Sequence, residues 1–169
     1  GTANVAPTFL LPATPDVTVD EDSSPIDVSV TGISAGGGDD EAAQTVTLTA
    51  TVSDATVVPT PTVTQTGAIA DIMLTPQPDA SGVVTVTVTA TDSGDAVAPN
   101  VNIFSADFTL TVTSVNDVPF FTLNTAPTVL EDAGPQTVAG LAASLFAGPA
   151  NESDQELTFT VSNDNNALF

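Results

Sequence analysis

The stretch Gly82-Val83-Val84-Thr85-Val86-Thr87-Val88-Thr89-Ala90-Thr91 decides the fold class. Val84, Val86, Val88 and Ala90 fall on one face and Thr85, Thr87, Thr89 and Thr91 on the other. A period of two is that of a strand with one buried and one wet face. β-Branched side chains suit such a pleated surface. Gln44–Asp54 repeats the pattern, with Val46, Leu48, Ala50 and Val52 set against Thr45, Thr47, Thr49 and Thr51. Phe104–Thr113 does so again, with Phe104, Ala106, Phe108, Leu110 and Val112 on the apolar face.

Weaker strands are expected at Asp16–Asp20, Pro25–Ile33, Thr60–Thr64 and Ala70–Leu74. Turn chemistry separates them: Gly36-Gly37-Gly38, Pro59-Thr60-Pro61, Pro76-Gln77-Pro78-Asp79 and Asp92-Ser93-Gly94-Asp95. About seven strands in roughly 100 residues predict an all-β, Ig-like β-sandwich. The missing Cys and Trp argue against an antibody-type domain.

The chain of 169 residues holds 21 Asp and Glu and no Lys, Arg or His, a formal net charge of -21. Binding nucleic acid by phosphate neutralisation needs the absent cations, as does adhesion to an anionic membrane. Without Cys or His there is no thiolate metal site, no disulfide and no His base for a Ser or Thr nucleophile. Each carboxylate must be solvated, hydrogen-bonded, protonated or bound to an external cation. With 41% apolar residues the acidity does not imply disorder. No apolar run approaches the roughly 20 residues that span a bilayer.

The chain also repeats itself. Ala6-Pro7-Thr8-Phe9 is matched further along by Val118-Pro119-Phe120-Phe121, and Ser34-Ala35-Gly36 is matched at the same spacing by Phe146-Ala147-Gly148. At nearly that spacing Glu21-Asp22 is matched by Glu131-Asp132, and Gln44–Thr49 by Gln155–Thr160. Preserved order marks a true repeat, with small insertions or deletions. Residues 1–5 read as an N-terminal extension, 6–117 as repeat 1 and 118–169 as the first half of repeat 2. Such a half exposes its core face and open edges, so a neighbouring chain or further sequence is expected to complete it. Phe120 and Phe121 are expected to plug the base of that domain.

Ca²⁺ takes about six to eight oxygen ligands, and this chain offers oxygen donors only. Asp20-Glu21-Asp22, Asp92 with Asp95, and Asn116-Asp117 sit at expected strand ends. A junction site would join Asn116 and Asp117 to Glu131 and Asp132. The loop Asp39-Asp40-Glu41 and its counterpart Asn151-Glu152-Ser153-Asp154 form a further candidate. Asp and Asn also favour solvated turns on their own account. Asp92-Ser93-Gly94 matches the short aspartic-protease signature, but no second Asp-Ser/Thr-Gly is present to share a proton. A glycosidase would lack Trp and Tyr for a sugar platform. The chain is therefore not expected to be an enzyme. Asn151-Glu152-Ser153 fits the glycosylation sequon as an incidental match.

Asp20-Glu21-Asp22, Gly32–Gly38, Val115-Asn116-Asp117-Val118-Pro119, Glu131–Val138 and Gly148–Ser153 together resemble bacterial cadherin-like, tandem-95-type repeats. Cadherins proper carry Asp-x-Asn-Asp-Asn at the junction, where this chain has Ser114-Val115-Asn116-Asp117-Val118. The resemblance implies tandem arrays on large extracellular surface proteins, adhesins among them, rigidified by Ca²⁺ between repeats. Its implied partners are adjacent repeats or identical subunits in a fibre and a cell-surface receptor, with no nucleic acid and no membrane insertion. Two further expectations stand beside the stalk. One is a filament joined by donated strands, with Gly1–Pro15 as the donor; the other is an adhesin ligand-binding module using Asp39, Asp40 and Glu41.

Overall fold

The computed structural model describes residues 3–167. The chain divides into two compact units, Gly1–Val115 and Asn116–Phe169, a boundary slightly ahead of the one read from the repeat.

Unit 1 is an Ig-like sandwich. One sheet orders its strands β1 (Thr8–Leu10), β3 (Ile26–Ser34), β6 (Ile69–Leu74) and β5 (Thr62–Thr66). The other orders β2 (Val17–Asp20), β8 (Ile103–Thr113), β7 (Gly82–Asp92) and β4 (Val46–Val52). All pairs are antiparallel except β2 with β8, which runs parallel from Val17 opposite Leu110 to Asp20 opposite Thr113. The Val/Thr alternation becomes the two faces of the second sheet. Val84, Val86, Val88 and Ala90 are fully buried, while register sets Thr47 opposite Thr91, Thr49 opposite Thr89 and Thr51 opposite Thr87 on the outer face. From the first sheet Val28, Val30, Ile33, Ala70, Ile72 and Leu74 meet them across the core. Burying each Val or Leu contributes about 1.5–3 kcal/mol, which is what drives the two sheets together.

Gln65 on β5 ties the sheets at one edge. Its side chain accepts a hydrogen bond from the Leu48 amide (3.0 Å) and donates to the Val46 carbonyl (2.9 Å). The amide group thus stands in for a strand neighbour of β4.

Unit 2 holds β9 (Phe120–Leu123), β10 (Ala142–Phe146) and a 3₁₀ turn at Ala150–Glu152. These two strands reproduce the β1–β3 pairing at the spacing of the sequence repeat. Thr8 faces Ser34 and Leu10 faces Thr31, as Phe120 faces Phe146 and Thr122 faces Ala143. Both ladders shift register between those pairs, and the extra residue is left-handed in each, Gly32 at φ 63° and Ser144 at φ 51°. A bulge kept in both copies to this degree makes the repeat a structural one.

Four expectations change. β1 is not among the expected strands, because three residues are too few to display a period. The described part of Gly1–Pro15 is engaged within unit 1 through β1, so it is no free donor strand. Phe120 and Phe121 are 53% and 46% exposed among the described residues, and each lies against one other ring, Phe146 and Phe159, instead of in a closed core. Phe104, expected in the core, is 38% exposed and lies edge-on to Phe9 with ring centroids 5.0 Å apart.

Candidate metal centre

At one pole of unit 1 meet the lead-in to β1, the loop between β3 and β4, and the loop between β7 and β8. Asn4 is their hub. Its amide nitrogen donates to Asp92 Oδ1 (3.1 Å) and to the Val101 carbonyl (2.8 Å), and its Oδ1 accepts from Gln44 Nε2 (2.7 Å). Its backbone N–H donates to Asn100 Oδ1 (2.8 Å), and the next N–H, of Val5, donates to Glu41 Oε1 (2.6 Å). Asn4 and Val5, set apart above as part of an extension, are therefore built into the pole.

Two carboxylates are buried here, Glu41 at 3% and Asp92 at 4% exposure. Each has one oxygen satisfied. Glu41 Oε1 takes the Val5 N–H, and Asp92 Oδ1 takes the Asn4 side chain and the Gly94 N–H (2.8 Å). The other oxygens, Glu41 Oε2 and Asp92 Oδ2, are buried with no hydrogen-bond partner, as is Gln44 Oε1. An ionised carboxylate removed from water without a counter-charge costs several kcal/mol, and this sequence has no cationic side chain to offer. A cleft of about 280 Å³ opens among Asn4, Asp40, Glu41, Gln44, Asp95 and Asn100. Glu41 fits against Gly36, where any Cβ would collide with its Oε2, and Gly36 sits at φ 125°, which L side chains rarely adopt.

Unit 2 rebuilds part of this constellation from its own residues. The Asp117 N–H donates to Glu152 Oε1 (2.8 Å), and Gln155 Nε2 donates to Asn116 Oδ1 (3.0 Å). Glu152 is 3% exposed, its Oε2 is buried without a hydrogen-bond partner, and Gly148 occupies the place of Gly36 against it. Asn4, Glu41 and Gln44 thus correspond to Asn116, Glu152 and Gln155. The shared signature is Asn-x-x-Pro followed by Glu-x-x-Gln.

The opposite pole of unit 1 carries Asp20, Glu21 and Asp22. Glu21 is 2% exposed and accepts the Val115 N–H at 2.8 Å, while Asp20 accepts the Thr113 hydroxyl. Asp22 is left-handed at φ 62° and accepts the Asp79 N–H at 3.4 Å.

The expected acidic residues divide accordingly. Glu41 and Asp92 are brought to one pole, with Asp40 and Asp95 exposed at the cleft beside them. Asp95 is spent on local bonds to the Val97 N–H (2.9 Å) and the Asn100 amide (3.0 Å). Asp39 and Asp154 are exposed. The bonds of Asn116 and Asp117 run to Gln155 and Glu152, while Glu131 and Asp132 lie exposed in a turn. Within Asp92-Ser93-Gly94 the Ser93 hydroxyl accepts the Thr45 N–H (3.1 Å), a turn-closing role. Asn4, Gln44 and Asn100 escape the sequence reading. The signal for the first two is present in the paired Asn-x-x-Pro and Glu-x-x-Gln spacings.

No family model and no curated relative matches the chain. Among solved structures, one described as titin domains Z1Z2 in complex with telethonin is similar, with a TM-score of 0.42 and 16% identity over 71% of this chain. The likeness covers 54% of that chain, so this sequence spans about half of its length.

Proposed function

We propose that the chain is a structural repeat module of an extracellular fibre or adhesin stalk, stiffened by Ca²⁺ bound at its poles. The observation that carries this reading is the pair of buried carboxylates, Glu41 and Asp92, each with an oxygen that no hydrogen bond satisfies. A hard divalent cation is the simplest partner for oxygens of that kind, and the donor set contains no nitrogen or sulfur that would favour a transition metal. Glu41, Asp92 and the Gln44 carbonyl would hold it, with the exposed Asp40 and Asp95 raising the local negative potential. Glu152 and Gln155 repeat the arrangement in unit 2, which supports a design used once per repeat. The resemblance to cadherin-like repeats supports the extracellular setting.

The measurement is a thermal melt in millimolar Ca²⁺ and in chelator. Ligand at 100 times Kd adds about 2.7 kcal/mol per site, enough to raise Tm by several degrees. Glu41→Gln should remove most of the Ca²⁺-dependent shift while leaving the chelator melt intact. Identical melts in both buffers would end the metal reading.

A further inference from the structure

β4 (Val46–Val52) ends its sheet, with β7 on one side and no strand on the other. The Ser93 N–H donates to the Thr45 carbonyl (3.0 Å) and the Ser53 N–H to the Thr85 carbonyl (2.9 Å), so the odd-numbered residues of this run bond to β7. Strand alternation then turns the N–H and C=O groups of Val46, Leu48, Ala50 and Val52 toward the open edge. Such a row is a template for another strand, and proteins ordinarily blunt it with a charge, a Pro or a bulge. β4 has none of these. Val46-Thr47-Leu48-Thr49-Ala50-Thr51-Val52 is uncharged, free of Pro and paired to β7 in unbroken register. What stands against this edge is one side chain from the opposite sheet. Gln65 takes the Leu48 N–H and the Val46 carbonyl, and a further bond from its Nε2 to the Gly67 carbonyl (3.3 Å) holds it there. Beyond it only Ala50 and Val52 keep both groups free for a neighbour, too short a row for a stable ladder. The opposite edge of the same sheet is treated alike. Asp16 Oδ1 accepts the Thr109 N–H (2.7 Å), one position before β2 begins at Val17 opposite Leu110.

We propose that Gln65 masks the β4 edge against β4 of a second copy of this chain. The strand itself specifies that occupant. Placed antiparallel about Thr49, two β4 strands set Leu48 opposite Ala50 and Val46 opposite Val52, the residues whose groups face the edge. Thr47 then meets Thr51, and Thr49 meets Thr49 of the second copy. These are Thr pairs of the kind β4 already makes with Thr87, Thr89 and Thr91 of β7. The net charge of -21 keeps whole chains apart in dilute solution, but none of it lies on this strand. Copies strung along a fibre face one another at high effective concentration, and there the mask separates ordered modules from edge-to-edge aggregates. The mask itself rests on neither the cation nor the fibre reading.

The test is Gln65→Met in the full chain, which keeps the apolar stem and loses both bonds. Sedimentation is read over a dilution series, beside hydrogen exchange at Leu48, Ala50 and Val52. In the wild type Leu48 is protected while Ala50 and Val52 exchange fast at every concentration. Gln65→Met gains a dimer that the wild type lacks, and as it forms all three amides slow by about tenfold or more, since paired strand amides exchange only on opening. Adding Thr49→Asp sets two carboxylates face to face and abolishes that dimer. Gln65→Asn, one methylene shorter, behaves as Gln65→Met does and is read in its place if that variant has lost its cooperative melt. Loss of the melt in both variants overturns the mask and leaves Gln65 a structural tie alone. The mask is also overturned by a folded Gln65→Met chain that gains no dimer, by a dimer that survives Thr49→Asp, or by wild-type protection of Ala50 and Val52 that vanishes on dilution.

Discussion

The two units begin alike and end differently. Each has the bulged two-stranded ladder, the Asn hub and the buried Glu, in the same order and at matching spacings along the chain. In unit 1 two four-stranded sheets cover each other's apolar faces; the described residues of unit 2 form one two-stranded ladder. The same alternating pattern makes a strand in Val46–Val52 and no strand in Leu157–Val161. The difference teaches that alternation encodes a face, and that a face becomes a strand only when a hydrogen-bonding edge arrives. Part of the polar pole is common to both: the Asp117 N–H and the Gln155 side chain still make their bonds to Glu152 and Asn116, across 35 and 39 residues of chain.

The sharpest way to break that comparison is to place one substitution at two equivalent positions. Ala50→Asp buries an unpaired carboxylate in unit 1 and should cost about 3–5 kcal/mol, visible as loss of the cooperative denaturant transition. Val161→Asp, at a site 88% exposed, should leave that transition where it is. Equal effects would mean that unit 2 is packed in solution.

A second pair asks whether the poles are equivalent. Gly36→Ala meets Glu41 Oε2 at a left-handed backbone, and Gly148→Ala meets Glu152 Oε2. Gly36→Ala should cost about 1–3 kcal/mol in chemical denaturation, and both should weaken Ca²⁺ binding in calorimetry. Gly37→Ala, with nothing near its Cβ, should change stability by less than about 0.5 kcal/mol.

Gln65 has no counterpart among the described elements of unit 2, so it isolates a feature of the closed sandwich. Gln65→Ala strands the Leu48 N–H and the Val46 carbonyl and should cost about 1–2 kcal/mol by thermal melting. The smallest effect concerns a turn that both units share. Asp54 Oδ1 accepts the Thr56 N–H at 2.8 Å, as Asn165 Oδ1 accepts the Ala167 N–H at 3.1 Å. In unit 1 the Thr56 hydroxyl also donates to Asp54 and, with that N–H, holds its carboxyl below the usual value. The contribution of this bond is therefore present above the ordinary carboxylate range and lost as pH falls through the lowered pKa. In an NMR titration Thr56→Val should move the Asp54 midpoint upward; an unmoved midpoint would remove the hydroxyl from the account.

Much of the sandwich was legible because Val84–Thr91 and its two companions bury one face each, and burial writes itself as a period. Thr8–Leu10 was not, since three residues show no period and pair only through β3. Of the pole, Glu41 and Asp92 stood out by charge. Asn4 and Gln44 did not, because neutral amides leave no mark on a charge count and their partners lie 40 and 88 residues apart in the chain. Which of several acidic residues becomes buried is decided by such long-range bonds and not by local composition.

The parallel pairing of β2 with β8 has a mechanical consequence. The chain enters unit 1 at the Asn4 pole, and both strands run toward the opposite one, where β8 leads out through Val115. Tension on the two ends draws β2 back toward its entry and β8 onward toward its exit. The four residue pairs from Val17–Leu110 to Asp20–Thr113 are then sheared along their length, so their bonds must fail together. A ladder peeled from one end would give way one bond at a time. Once Asn4, Val5 and β1 have let go, the short parallel seam is thus loaded in shear and not peeled.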